Sequence, residues 1–374
     1  MSRPVKRGLR VLAFVAGGTL LLCAIVALLS AASNRNLPTG PKETDRLSAL
    51  DQARLAETFH LKQVLGENVW PGWGRADIPV LIWNRDYSLL VGHPAPPADW
   101  EPVPGDAFQG QDYYRQVTDD SQNFAVSVGD RWVASMATKW ETDAFVIDMI
   151  RDMLPSPLQL VFPYRLLIQP SEVQMSGVLH ETFHAYQAQV APVRLEEAEQ
   201  AHGRGERYWR VDAAMHQAWD QEIDLLASAL EAESNENARA LARQFLDQRA
   251  RRRSAHDLDA ALIGYERQLE WEEGLAKYVE LAIWREAYAV KEYEPLSILA
   301  GDPDFGQYAT FPRRWSQEIG QMRRQAAREG ETRFYYTGMA QAALLDRLLP
   351  GWQDRIWADG VWLETLLAEA TEQL

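Results

Sequence analysis

The sequence predicts an α+β protein: an N-terminal membrane-spanning helix, a small antiparallel sheet, and then a mostly helical region. Three observations carry this reading. Val11 to Ala32 is almost uninterrupted apolar sequence. Short apolar runs punctuated by Gly, Pro, Asn and Asp follow, up to about residue 168. From Ser171 onward the chain reads as long, polar, alanine-rich helical segments.

The first ten residues carry Arg3, Lys6, Arg7 and Arg10 and no acidic group. Residues 11–33, as a helix, just cross a hydrocarbon core of about 30 Å. The basic segment 1–10 is expected to stay in the cytoplasm, which puts everything after Ser33 in the periplasm or outside the cell. Ser30-Ala31-Ala32 offers small residues where a peptidase could cut, so a cleaved signal peptide is the alternative. The length of the run favours a retained anchor, and both readings export the body. The single cysteine, Cys23, lies inside the run, so the body can form no intramolecular disulfide. Beyond residue 32 the chain holds 34 basic against 53 acidic residues, a net charge of −19. Such a body is a poor match for nucleic acid, which is bound by basic patches.

Residues 34–45, with Pro38, Gly40 and Pro41, read as a linker to a body spanning 46–374. Leu47, Leu50, Leu55 and Phe59 predict a first helix. Ile78–Trp83 and Tyr87–Val91 predict two strands around a turn at Asn84-Arg85-Asp86. Phe124, Val126 and Val128 alternate with small or polar residues, and Gly129-Asp130 supplies the turn of a second hairpin. Leu158–Ile168 reads as a further strand, at an edge or irregular because of Pro163. Ser171 and Gln174 form a capping pair that starts the next helix. Helices are expected across roughly 194–253 and near 258–290, 313–329, 336–349 and 355–372. The basic run Arg249, Arg251, Arg252 and Arg253 reads as a solvated helix end.

The chemistry sits in His180-Glu181-Thr182-Phe183-His184. On a helix, imidazoles four residues apart point from one face, so both can bind one Zn2+ ion. Glu181 can then reach a water on that ion. At 100° per residue, Met175, Leu179, Phe183 and Tyr186 share one face. His180 and His184 lie opposite, beside the small residues Ser176, Gly177 and Ala188, which leaves space around the imidazoles. Zinc needs a third protein ligand and a position open to water. The segment Trp271-Glu272-Glu273-Gly274-Leu275-Ala276-Lys277-Tyr278-Val279-Glu280 supplies the carboxylates for it. Gly274 within a helix costs about 1 kcal/mol relative to alanine, which fits a place where another backbone approaches closely. A plain acidic stripe of Glu266, Glu270, Glu273 and Glu280 facing solvent is the alternative, and Glu272 is the rival ligand.

With these residues in view, the chain resembles the gluzincin metallopeptidases. Glu273-Gly274-Leu275-Ala276-Lys277-Tyr278-Val279-Glu280 is similar to the Glu-Gly-Phe-Ala-x-Tyr-x-Glu segment of the M1 aminopeptidases. The resemblance covers 171–190 and 268–282 and implies a metallopeptidase-like domain in which His180, His184 and Glu273 bind zinc and Glu181 is the general base. Against that pattern, residues 191–260 form a helical insert where aminopeptidases use a short connection. Lys277 stands where thermolysin-type enzymes carry an aspartate behind the ligand helix, so a partner for the histidines is unassigned. No Gly-x-Met-Glu-Asn segment precedes the motif. Related enzymes stabilise the oxyanion with a tyrosine or histidine after the third ligand. Tyr335 and Tyr336 stand just before a predicted helix, and Tyr336 is the expected donor.

The expected function is therefore a membrane-anchored, extracytoplasmic zinc metallopeptidase acting on peptide or protein substrates. The alternatives are a zinc hydrolase of a non-peptide amide, such as a cell-wall linkage, and a non-catalytic exported binding domain.

Overall fold

Helix α1 (Arg3–Asn34) opens the chain. Its Gly17–Asn34 stretch is long and apolar enough to cross a membrane, and almost none of it is buried against the body. The computed structural model describes residues 3–372 apart from 36, 38, 119–121, 213, 326, 327 and 329. The side chains of Arg3, Lys6, Arg7, Arg10 and Cys23 lie outside the described part.

Helix α2 (Ala49–Val69) starts on Ser48, whose hydroxyl accepts from the Asp51 amide at 3.1 Å. A six-stranded sheet follows: β1 (Val80–Trp83), β2 (Tyr87–Val91), β3 (Glu101–Pro102), β4 (Tyr114–Val117), β5 (Phe124–Val128) and β6 (Arg131–Ala137). Its order is β3-β4-β2-β1-β6-β5. Both predicted hairpins form, β1 with β2 and β5 with β6. The two hairpins join side by side through a parallel pair, Val80 opposite Ala134 and Trp83 opposite Ala137, so the sheet is mixed rather than antiparallel throughout. Alternation sorts its faces. Val80, Ile82, Leu89 and Val91 enter the main core, whereas Leu81, Leu90 and Val133 join Trp100 and Val128 in a small cluster on the other side.

Helix α3 (Lys139–Met153) was not expected from periodicity. Its signal is Thr138, which accepts from the Glu141 amide at 3.2 Å. The predicted strand over Leu158–Ile168 is absent. Helix α4 (Ser156–Gln159) and a 3-10 turn at Tyr164–Leu167 stand there instead. Pro155, Pro157 and Pro163 supply no amide for a ladder, and proline at the first turn favours a helix start.

The helical region comprises α5 (Ser171–Val190), α6 (Pro192–Ala201), α7 (Gly205–Asp212), α8 (His216–Glu231), α9 (Asn235–Ala255), α10 (Ala260–Leu269), α11 (Leu275–Ala289), α12 (Phe311–Gln325), α13 (Thr332–Leu348) and α14 (Leu363–Glu372). A wide π turn, Glu270–Gly274, joins α10 to α11. Helix α5 is the centre of the molecule. It packs on β5 and β6 from one side and on α2, α6 and α11 from the others. Helix α13 crosses both the π turn and α11.

Of the basic run in α9, only Arg251 is solvated. Arg249 and Arg252 are each 1% exposed and enter a buried ion-pair network. Arg249 donates to Glu222 at 2.7 Å and to both Glu270 oxygens at 2.6 and 2.9 Å. Arg252 reaches Glu222 at 2.7 Å and Glu266 at 2.6 Å. The expected acidic stripe is therefore interior: Glu266, Glu270, Glu273 and Glu280 are all buried.

Candidate metal centre

Helix α5 brings the motif to the middle of the fold. It begins without the expected capping pair, because Pro170 holds the cap position. The Ser171 hydroxyl instead donates to Asp302 at 2.7 Å and accepts from Arg54 at 3.2 Å. Met175, Leu179, Phe183 and Tyr186 face the core as predicted. Phe183 meets Trp70 edge-on with ring centres 4.8 Å apart. The small residues on the histidine face admit the sheet rather than clear a void. A side chain at Gly177 would meet the Met136 methyl at 2.7 Å, and the Phe124 ring lies 4.6 Å from that of His184.

His180, His184 and Glu273 converge. His180 Nε2 and His184 Nε2 are 3.1 Å apart, and Glu273 Oε2 lies 3.4 Å from the first and 3.3 Å from the second. Donors around one tetrahedral zinc at about 2.0–2.1 Å stand about 3.3 Å from each other. The three separations match the edges of one face of such a tetrahedron. Glu273 Oε2 and Glu181 Oε2 are buried with no hydrogen-bond partner, as atoms awaiting a cation or a water would be. The cluster fits one Zn2+ ion.

The π turn aims Glu273. Its wider coil holds one residue more than an α-helical turn, which displaces Glu273 toward α5. Two features fix it. Glu270 is gripped by Arg249 and accepts from the Thr337 hydroxyl at 2.6 Å. Gly274 meets Gly338 of α13 so closely that a Cβ on Gly274 would lie 2.5 Å from the Gly338 Cα. The close backbone approach expected at Gly274 is this crossing.

The partners left unassigned by sequence are Gln187 and Glu280. Gln187 Oε1 accepts from His184 Nδ1 at 2.9 Å. The amide donates to the Trp271 and Glu272 carbonyls at 2.8 and 3.2 Å, which fixes its oxygen toward the ring. His184 therefore carries its proton on Nδ1 and presents a lone pair at Nε2. Glu280 Oε2 lies 3.5 Å from His180 Nδ1, and Lys277 holds the same carboxylate at 2.8 Å. The spacing of Gln187, three residues after the second histidine, was the available signal.

The electrostatics favour a central positive charge. Burial acts to lower the His180 pKa, but Glu273 and Glu280 outweigh it and push it up to about 10. Burial opposes ionisation of Glu273, yet His184 and His180 hold it well below the carboxylate range. Burial raises Glu181, and the two imidazoles draw it back.

Tyr335 and Tyr336 lie within α13, which starts four residues earlier than predicted, so they face different ways. The Tyr335 ring stacks on His180, centres 6.0 Å apart and planes 15° apart. Burial and the charge of Glu273 raise its phenol, which stays protonated. Tyr336 turns away and donates to Glu318 at 2.8 Å. Glu272, the rival ligand, binds His202 Nε2 at 3.0 Å, and His202 Nδ1 lies 3.0 Å from Glu331. His202 carried no assignment from sequence. Through it, the 191–260 stretch reaches the rim of the site.

Comparison of the chain with known protein families, curated proteins and solved structures found no match. The site speaks for itself through its donor set: two imidazoles, one distant carboxylate and a free carboxylate beside them. That is the arrangement of a catalytic zinc hydrolase, set behind a helix able to anchor it in a membrane.

Proposed function

We propose that this chain is a membrane-anchored zinc peptidase whose body, residues 46–374, works outside the cytoplasm. The observation that carries the reading is the matched triangle of His180, His184 and Glu273 beside the buried, unpartnered Glu181 Oε2. Bound zinc lowers the pKa of a water and polarises a carbonyl oxygen. Glu181 takes the proton of the attacking water and hands it to the leaving amine. Gln187 holds the His184 ring in its donor tautomer, and the Glu280 carboxylate faces His180 Nδ1. Tyr335, rather than Tyr336, donates to the oxygen on which charge develops.

A peptide substrate is favoured over other amides by the sheet. β5 is an edge strand, and among the described residues no strand pairs with its outer side. Phe124, its first residue, touches His184. An extended chain adding to that edge would pass beside the zinc.

The test is Glu181→Gln. The variant is expected to keep one zinc per chain by elemental analysis and to lose peptide cleavage by at least about a thousandfold. Unchanged zinc content in His184→Ala would remove the site. Cleavage of cell-wall amides but no member of a broad peptide library would remove the peptide reading and leave the zinc.

A further inference from the structure

Six large apolar side chains crowd one short stretch of the body surface. Phe145, Met149 and Met153 form a stripe on α3 at four-residue spacing, and Leu158, Leu160 and Leu166 continue it over the following turns. Their exposure runs from 44% to 78%. Outside α1, the other exposed large apolar residues among those described stand singly or in a pair, between Leu50 and Ile298. Large apolar side chains left exposed together along one segment mark a surface that is covered in use.

The chain itself says by what. Asn34, the last residue of α1, donates from Nδ2 to the Phe162 carbonyl at 2.8 Å, and its Oδ1 accepts from the Tyr164 amide at 3.0 Å. The point where the apolar helix ends is thus clasped to the same segment that carries the patch. Where α1 leaves the hydrocarbon, the Phe162–Tyr164 segment is held beside its end, next in sequence to Leu160 and Leu166. Apolar groups seated there sink about 5–10 Å into the boundary between headgroups and acyl chains.

We propose that the 145–166 face is a second membrane contact: the body does not hang from its anchor but rests on the bilayer surface through Phe145, Met149, Met153, Leu158, Leu160 and Leu166. The anchor and the patch together fix the orientation of the body, which two independent attachments do and a flexible tether does not. The proposal rests on α1 as a membrane helix and not on the zinc chemistry.

The test uses the full chain with Cys23→Ser, in vesicles of phosphatidylethanolamine and phosphatidylglycerol. A fluorophore is placed on Leu160→Cys or Leu166→Cys, with Val117→Cys, 69% exposed on β4, as the control. Quenching by lipids bearing a shallow nitroxide is expected to be at least severalfold greater at 160 and 166 than at 117. Equal quenching at all three positions overturns the proposal. A second measurement covers loss of folding. A protease site is inserted after Lys42, the linker is cut, and the vesicles are sedimented. The body with the native patch should stay with the vesicles, and the Leu160→Glu/Leu166→Glu body, checked by its melting curve, should be released. Release of both bodies, or of neither, overturns the proposal.

Discussion

A single ring decides the division of labour between Tyr335 and Tyr336. One residue apart on a helix, they point about 100° apart, so only one can serve the metal. Tyr335→Phe is expected to lower kcat by about a hundredfold with little change in KM, the pattern for a donor used mainly in the transition state. Tyr336→Phe should leave kcat within about twofold, since its hydroxyl is committed to Glu318. Steady-state kinetics on the two variants separates them. Glu172 offers a different residue-scale test. It is 1% exposed, and burial pushes its carboxyl up to about 7 from 4.5. An acid raised on folding leaves the fold most stable when protonated, below about 4.5, and loses that stability as pH climbs through about 7. The full cost at high pH is roughly 3 kcal/mol. Glu172→Gln should therefore raise the melting temperature at pH 8 and leave it nearly unchanged at pH 4.

At the scale of elements, the site depends on two helices touching through glycine. A Cβ on Gly274 would press on backbone, not on a side chain that could swing away. Gly274→Ala is expected to destabilise the fold by about 1–3 kcal/mol and to weaken zinc binding by at least tenfold, because moving α13 moves the π turn. Urea denaturation and metal titration read the two effects. Sequence located α5, α11 and α13 through their motifs and apolar content, and each is buried over most of its circumference. It missed α3, whose outer side mixes exposed Phe145, Met149 and Met153 with exposed Asp148, Arg151 and Asp152, so no clean apolar stripe marks the helix. It misread 158–168 because exposed leucines between prolines look like strand residues when burial is unknown. The start of α13 was placed late because its first turn has no side-chain cap, and without the helix the sequence had no means of orienting Tyr335 against Tyr336.

Across the whole molecule, the zinc triad was legible because a five-residue motif states its own geometry. The third ligand was legible through one glycine and its neighbours. What supports them was not. Arg249 and Glu270 are 21 positions apart in the chain, and nothing local distinguishes a buried ion pair from a solvated one. The triad spans α5 and the π turn, so a bound ion links elements nearly ninety residues apart. Chelation should then cost global stability and not activity alone. A melting curve in excess EDTA is expected to fall by several degrees, with full recovery on adding zinc back, in Glu181→Gln as in the native chain. The π turn also sets a genetic hazard. A regular α-helix has no place for its surplus residue, so an in-frame loss of one codon between Glu270 and Gly274 would be absorbed by ordinary coiling. The protein would keep its helices and swing the carboxylate out of register, a route by which a sister lineage could become inert in one step without losing its fold.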